Sequence, residues 1–174
     1  ITFNEEKNIG KCIDALFEVC DEVIIVDSLS TDNTVKIAEE KGAKVISQKF
    51  LGDGPQRTHG LPFCKNDWIL NLDADEFLDK DAKEFILKGK YLEGNYDAFS
   101  FRVKNFLADE LIDFSGWYPD HKVRFFNKKT AKPSEAKVHQ KIETTNEKKV
   151  AVHILHYGWE SFEQIIAKKN QYST

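Results

Sequence analysis

Short apolar runs alternate with helical patterns through about the first ninety residues, and this alternation is what most constrains the fold. The runs 22–26 and 67–72 read as buried strands, and each is followed directly by acidic residues. Between the runs, apolar residues recur at spacings of three and four, as they do from Ile9 to Phe17. Strands separated by helices of this length predict βαβ units and a parallel sheet.

The second half of the chain predicts more strand and less helix. Strand patterns cover 96–106, 122–127, 137–143 and 150–157. Together the halves predict one α/β domain over 1–174, with a mostly parallel sheet flanked by helices and a mixed, β-rich second half. Asn4, Ser30 and Asp79 are predicted helix N-caps. Gly42 and Gly89 are predicted to end helices. A capping box at Ser161 and Gln164 predicts the start of a last helix.

Composition narrows the class of protein. The chain has 174 residues, a mass of 20.0 kDa and a net charge of −4, so it suits one soluble domain and argues against nucleic-acid binding. Cys12, Cys20 and Cys64 form no CxxC pair and read as free thiols in a reducing compartment. The chain begins without Met and ends inside a helical pattern, so we expect it to be a piece of a longer protein.

The segment WILNLDADEF ends a predicted strand in concentrated negative charge. Asp73 and Asp75 are two residues apart, so in extended chain their carboxylates point the same way. Two carboxylates aimed at one point repel unless a cation or proton lies between them, and hard oxygen ligands suit Mg²⁺ or Mn²⁺. The segment is therefore a candidate metal and diphosphate site, although a solvated acidic turn would give the same pattern.

Two neighbouring junctions strengthen the case for a site. Asp27 ends another predicted strand before the polar loop SLSTDNT, and TFNEE joins a first strand to a first helix. Ligands bind beyond the carboxyl ends of the strands in open α/β sheets, so these junctions should meet at one sheet edge. Two other acidic motifs do not fit: a haloacid-dehalogenase phosphatase needs Thr or Val where Phe77 stands, and an EF-hand needs D-x-D-x-D-G.

The ordered set TFNEE, VIIVDSLSTDNT, PQRTHG and WILNLDADE resembles glycosyltransferase family 2, whose inverting members have the GT-A fold. The later segments GWYPDHKVRFF, KVHQKI and HILHYGWESFEQ look like the branch of bacterial lipopolysaccharide-core β-glucosyltransferases. The resemblance covers essentially the whole chain. It implies a nucleotide-binding half at about 1–90 and an acceptor-side half at about 91–174.

The resemblance also implies roles for single residues. A nucleotide-sugar donor, expected to be a UDP-sugar, would contact Phe3 beside the base, the loop residues Asn4 and Glu5, the base-binding acid Asp27, the arginine Arg57, and Asp73 near the ribose and metal. Asp75 would hold the metal on the diphosphate, with Asp73 as a further ligand. His156 is a candidate third ligand or a hydrogen-bonded strand-end histidine, and Arg124 either faces the cleft or is a surface charge.

The expected reaction is a single displacement at the anomeric carbon, in which a base removes the proton of the acceptor hydroxyl. The Glu-Asp pair that many family members carry late in the domain is missing here. The candidate bases are Asp120, His139 and Glu76. His139 is followed by Gln140 where the branch usually has Glu, which removes a carboxylate that would orient or replace the histidine.

The resemblance implies a glycan or glycolipid acceptor, a cytoplasmic location and peripheral contact with the inner membrane. Trp117 and Tyr118 are candidates for stacking on an acceptor sugar, and Lys168 and Lys169 for approaching an anionic membrane surface. The alternatives are nucleotidyl transfer, which lacks its usual Gly-rich loop here, and a non-catalytic nucleotide-sugar or glycan-binding module of the same fold.

Overall fold

A computed structural model describes residues 1–108, 110–113, 118–138 and 140–159. Within these ranges the helices are α1 (Ile9–Phe17), α2 (Thr34–Glu40), α3 (Asp53–Gly60) and α4 (Lys80–Leu87). The strands are β1 (Ile24–Asp27), β2 (Lys44–Ser47), β3 (Trp68–Leu70), β4 (Glu76–Leu78), β5 (Ala98–Leu107), β6 (Glu110–Ile112), β7 (Asp120–Asn127), β8 (Lys132–Pro133), β9 (Ile142–Glu143) and β10 (Glu147–Trp159).

The strands form three sheets. β1 and β2 pair in parallel, β8 and β9 form an antiparallel pair, and the large sheet has the order β3-β7-β5-β10-β4 with β6 on β5. In the large sheet β5 and β10 run parallel, while the other pairs are antiparallel. The mixed α/β class is confirmed. Parallel pairing is less extensive than predicted, since among the described strands it is limited to β1–β2 and β5–β10.

The helix signals are confirmed in part. The Asp79 carboxylate accepts from the N–H of Ala82 at 2.8 Å and caps α4, and Gly42 and Gly89 follow their helices at φ +83° and +65°. The predicted caps at Asn4 and Ser30 were wrong, since α1 begins at Ile9 and α2 at Thr34. Both side chains are engaged in the functional site instead. The predicted capping box at 161–164 lies outside the described residues.

Of three apolar clusters among the described residues, two pack helices against the sheets. One joins α1 to β1 and α2, and the other packs Phe85 of α4 against Phe99, Phe101 and Ile154 of the large sheet. A cavity of about 380 Å³ lies between β1 and β3 and borders the functional site through Arg57. No helix in the described part of the chain has the length and apolar character to cross a bilayer.

The three cysteines are free thiols, as predicted. Cys12 is buried at 4% exposure on α1, and burial raises its pKa to about 12. Burial likewise raises the pKa of Cys20 to about 11. A thiol with so high a pKa stays protonated at neutral pH, so these side chains act as small apolar groups rather than nucleophiles.

Candidate active site

Asp27 ends β1 with its side chain fully enclosed. It is 1% exposed, and its carboxylate accepts from the Thr2 hydroxyl at 3.1 Å and from the Ser30 N–H and hydroxyl at 2.8 and 2.5 Å. Thr2 also forms a parallel bridge with Asp27 through the backbone. The residues before the first helix and the loop after β1 are therefore fastened to each other at this acid, as the strand-end rule predicted.

Asn4 also bonds to the loop that follows β1. Its backbone N–H donates to the Ser30 hydroxyl at 2.9 Å, and its side-chain oxygen accepts from the N–H of Thr31 at 2.9 Å. The residue has φ +53°, a left-handed conformation that asparagine tolerates better than most residues. These bonds explain why Asn4 does not cap a helix.

Phe3 and Glu5 flank Asn4 in the sequence. The Phe3 side chain is 57% exposed, so an aromatic face is open at the edge of the site. The N–H of Glu5 donates to the Thr34 hydroxyl at 2.7 Å, and its carboxylate accepts from the Asn8 amide at 2.9 Å. The structure thus brings together four of the residues predicted to contact the donor nucleotide: Phe3, Asn4, Glu5 and Asp27.

Two arginines hold Asp73. Arg57 on α3 reaches one carboxylate oxygen at 2.5 Å, and Arg124 on β7 reaches the other at 3.3 Å. Burial opposes ionisation of Asp73, but the two guanidinium groups outweigh it and hold the pKa of its carboxyl well below the ordinary value. A second nitrogen of Arg57 donates to the Asn71 side-chain oxygen at 2.7 Å. Arg124 therefore lies inside the site and is not a surface charge.

Glu76 pairs with Arg124 and with the backbone of Asp73. It is 2% exposed, and its carboxylate receives Arg124 at 2.5 Å and the N–H of Asp73 at 3.1 Å. Burial works against the charge of Arg124, but Glu76 and then Asp73 more than compensate and raise its pKa above the ordinary value. Of the roles open to Glu76, this pairing favours a supporting one over that of a base.

Asp75 faces a different partner. Its carboxylate lies 3.4 Å from Nε2 of His156, and its carbonyl accepts from the N–H of Tyr157 at 2.9 Å. The other ring nitrogen of His156 lies 2.8 Å from the side-chain oxygen of Asn105 on β5. Both the Asp75 and His156 side chains are about one-sixth exposed, at 18% and 17%, so solvent and ligands can reach them.

The two acids of the DxD motif do not share partners, which differs from the extended geometry expected from the sequence. Residues 74–75 form a turn between β3 and β4, which is closed by a bond from the Glu76 N–H to the Asp73 carbonyl at 3.0 Å. Because the chain turns here, Asp73 faces the arginines and Asp75 faces β10. Among the described residues, no group of three or more His, Cys, Asp or Glu side chains is arranged as a complete metal site.

The candidate base Asp120 lies at the start of β7. Its side chain is 45% exposed and lies 3.8 Å from the Lys122 ammonium group. The register pairs Asp120 with Val103 of β5, two residues before Asn105. Since side chains two apart on a strand share a face, Asp120 belongs to the face of Asn105, about 7 Å along the strand. His139, Trp117, Lys168 and Lys169 lie outside the described residues.

Three residues of the site were missed from sequence. Gln56 is fully buried, and its amide bonds Ser28, Gln48 and Leu51 in the loops beyond β1 and β2. Asn105 contacts His156, and a Cβ on Gly158 would lie 2.5 Å from His156 Nε2. Gln56 and Gly158 lie within the family-like segments PQRTHG and HILHYGWESFEQ, which could have drawn attention to them. Asn105 lies outside those segments, and a lone amide in a strand pattern carries no signal of its own.

The fold, with its polar edge formed by β1, α3 and the β3–β4 turn, is the GT-A fold. The structure of Staphylococcus aureus TarS 1–349, solved in complex with UDP-GlcNAc, shares this fold with a TM-score of 0.61 at 17% identity, over 91% of the present chain and 58% of the solved TarS chain. The chain belongs to glycosyl transferase family 2, because the model of that family matches residues 1–142.

Curated relatives agree with this assignment. An uncharacterized glycosyltransferase of Rickettsia bellii is 35% identical over 99% of this chain and 63% of its own length. The chain thus spans a little under two thirds of that relative. The lipopolysaccharide core biosynthesis glycosyltransferase LpsC of Rhizobium meliloti is 38% identical in an alignment of 91 positions, which covers 49% of this chain and 33% of LpsC.

Proposed function

We propose that this chain carries the donor-binding and metal-binding centre of an inverting glycosyltransferase. The enzyme transfers a sugar from a nucleotide-diphosphate sugar, with UDP as the proposed nucleotide, to a bacterial glycolipid or surface glycan. The observation that carries the proposal is the pairing of Asp75 with His156 beside an Asp73 that two arginines hold in place.

The donor would bind across the two joined segments, which are residues 2–5 before α1 and residues 28–33 after β1. Phe3 offers an exposed ring on which a base can stack. Asp27 at the carboxyl end of β1 is the proposed acceptor for a base N–H, and because Thr2 and Ser30 enclose its side chain, a base reaches it only by displacing one of their hydroxyl groups. The present bonds of Asp27 to Thr2 and Ser30 set the position of its carboxylate. Arg57, one helical turn inside α3, supplies positive charge for a diphosphate.

The residues around Asp75 fit a divalent cation. A carboxylate oxygen and an imidazole nitrogen converge here, and the missing side chain of Gly158 leaves open the space next to both of them. Carboxylate and imidazole suit Mg²⁺ or Mn²⁺ when substrate oxygens complete the coordination. We propose Asp75 and His156 as the ligands. The sequence prediction that Asp73 is a further ligand stays a prediction, and its arginine partners favour an anchoring role.

In the proposed reaction an acceptor hydroxyl oxygen forms a bond to the anomeric carbon while the bond from that carbon to the diphosphate oxygen breaks. The bonding pair leaves with the diphosphate, and the acceptor proton passes to a base. When bound, the cation would neutralise charge on the departing diphosphate. Asp75 and His156 would hold the cation, and Arg57, which pairs with Asp73 two residues before Asp75, is proposed to stabilise the same charge.

Asp120 is our proposed base, and His139 is the second candidate. The support for Asp120 is its exposure and its place on the same face of the sheet as Asn105, one row of side chains away. Asp120→Asn should abolish transfer while leaving nucleotide binding unchanged, whereas His139→Ala should keep transfer. The reverse pair of results would assign the base to His139.

The acceptor class rests on similarity alone. LpsC, whose name assigns it to lipopolysaccharide core biosynthesis, is 38% identical over half of this chain, which supports a lipopolysaccharide-core acceptor. An acceptor of this kind places the enzyme in the cytoplasm at the inner membrane, with peripheral contact as the proposed mode.

The proposal is tested with a panel of UDP-, GDP- and dTDP-sugars, each incubated with the protein and Mn²⁺. We expect one UDP-sugar to be bound and slowly hydrolysed, and EDTA to prevent both. Transfer to purified lipopolysaccharide core should be faster than hydrolysis. Failure of every nucleotide to bind, in protein that melts cooperatively, would contradict the proposed function.

A further inference from the structure

We propose that Asn105 is a positioning residue, which holds His156 with its Nε2 lone pair turned toward the cation at Asp75. This inference rests on the proposed metal site and adds to it a residue that selects the protonation pattern of the histidine. Asn105 is 6% exposed and lies on β5.

Asn105, His156 and Asp75 come from adjacent parts of the large sheet, since its strand order includes β5-β10-β4 and Asp75 directly precedes β4. The register pairs His156 of β10 with Asn105 on one side and with Glu76 of β4 on the other. The Asn105 side-chain oxygen lies 2.8 Å from Nδ1 of His156, while Nε2 points the opposite way, 3.4 Å from the Asp75 carboxylate. The imidazole of His156 therefore lies between the buried Asn105 amide and the partly exposed Asp75 carboxylate.

Hydrogen-bond chemistry then decides the tautomer. A neutral imidazole has one N–H donor and one acceptor nitrogen, and an amide oxygen only accepts. With that oxygen facing Nδ1, the proton belongs on Nδ1 and Nε2 carries a lone pair. A metal-bound histidine commonly donates its other N–H to an oxygen in this way, which fixes the ring and raises its basicity as a ligand.

The space around Nε2 agrees with this assignment. Nε2 and the Asp75 oxygen are 3.4 Å apart, which is long for a hydrogen bond. Two acceptors at that separation repel unless a cation lies between them, and ligand distances of about 2.1 Å around Mg²⁺ place neighbouring ligand atoms roughly 3 Å apart. Gly158 preserves this space, since a Cβ there would lie 2.5 Å from Nε2 and 3.3 Å from the Asp75 oxygen.

The test measures Mn²⁺ affinity of the whole chain by electron paramagnetic resonance, without any sugar donor. Asn105→Leu keeps the size of the side chain and removes the hydrogen bond, and should weaken Mn²⁺ binding by about 10- to 100-fold. Asn105→Asp, whose carboxylate also accepts from Nδ1, should stay within a few fold of wild type. Asn127→Leu, at the far end of β7, is the matched control and should bind as wild type does.

Nitrogen NMR of His156 gives a readout that does not depend on a variant's folding. In protein saturated with Mg²⁺, the His156 ring should carry its proton on Nδ1. A proton on Nε2, or wild-type Mn²⁺ affinity in Asn105→Leu, would overturn the role of Asn105. Gly158→Ala should also weaken Mn²⁺ binding, because the new methyl group displaces the ring.

Two further variants separate this inference from the proposed function. If Asp75→Ala and His156→Ala bind Mn²⁺ like wild type, the metal site itself is wrong. If both lose affinity while Asn105→Leu keeps it, the metal site stands and only the positioning role falls. Melting temperatures of all variants show whether any loss comes from unfolding.

Discussion

Asp73 and Asp75 are two residues apart in one motif, yet they lie in very different surroundings. Asp73 is held by Arg57 and Arg124, so its charge is already matched within the protein. Asp75 faces a histidine across 3.4 Å, beside space that a glycine keeps open. The turn at 74–75 separates the two carboxylates, so a motif that looks symmetrical in sequence has one anchored acid and one available acid.

The difference shows how the site is built around charge. A cluster of two arginines with Asp73 and Glu76 carries no net charge, so it can be buried as a unit. Its rigidity fixes the start of the turn that presents Asp75. The position of Asp75 thus depends on the cluster around Asp73. Variants can test the anchored region, which is Asp73 with Arg57, Arg124 and Glu76, separately from the available acid Asp75.

The largest expected effect on stability comes from breaking the anchored region. Arg124→Leu leaves the Glu76 carboxylate buried without its cation and should lower the free energy of unfolding by about 3–5 kcal/mol. Urea unfolding at neutral pH measures this. Lys83→Ala, which removes an ion pair to Glu18 whose carboxylate side chain is 58% exposed, is the control and should cost less than about 1 kcal/mol. Equal costs for the two variants would contradict the assignment of Arg124 to a buried cluster.

The largest expected effect on activity comes from the available acid. Asp75→Ala should lower kcat for transfer by at least about 100-fold, because the charge on the departing diphosphate loses its cation. The melting temperature should stay close to that of wild type, since Asp75 is not part of the buried cluster.

Asp81→Ala is the matched control for Asp75→Ala. It removes an exposed carboxylate from the first turn of α4 and should leave kcat unchanged. Transfer by Asp75→Ala at the wild-type rate, unaffected by EDTA, would remove the distinction between the two acids of the motif.

Sequence reasoning identified the parts of the site that depend on strand ends. Asp27 and Asn4 could be placed near each other because polar residues after parallel strands meet at one edge. The arginine partners of Asp73 are 16 and 51 residues away, and their geometry depends on how α3 and β7 pack. Asn4 and Ser30 show the limit of local rules, because the residue types that cap helices also fasten loops.

Gln56 joins the loops after β1 and β2 and directly precedes Arg57, which belongs to the anchored cluster. A substitution at Gln56 therefore tests whether those loops and that cluster affect each other. Gln56→Met keeps the length of the side chain but loses its bonds to Ser28, Gln48 and Leu51, which leaves buried polar groups unpaired. We expect a loss of about 1–3 kcal/mol in the free energy of unfolding. We also expect a higher KM for the donor with kcat nearly unchanged. A fall in kcat at constant KM would place Gln56 in the chemistry of transfer instead.

The smallest expected effect is the contribution of Asp73 to acid stability. Its pKa in the folded protein lies below the ordinary value of 3.8, so its stabilisation is complete above that value and is lost as the pH falls through the folded pKa. Solvent screens part of this effect, since a third of the side chain is exposed, at 33%. Between pH 6 and pH 2, the free energy of unfolding of Asp73→Asn should therefore fall less steeply than that of wild type. The exposed-acid variant Asp81→Asn should follow the wild-type slope. Parallel curves for Asp73→Asn and wild type would show that the arginines do not stabilise this carboxylate, and Asp73 would then be as available to a cation as Asp75.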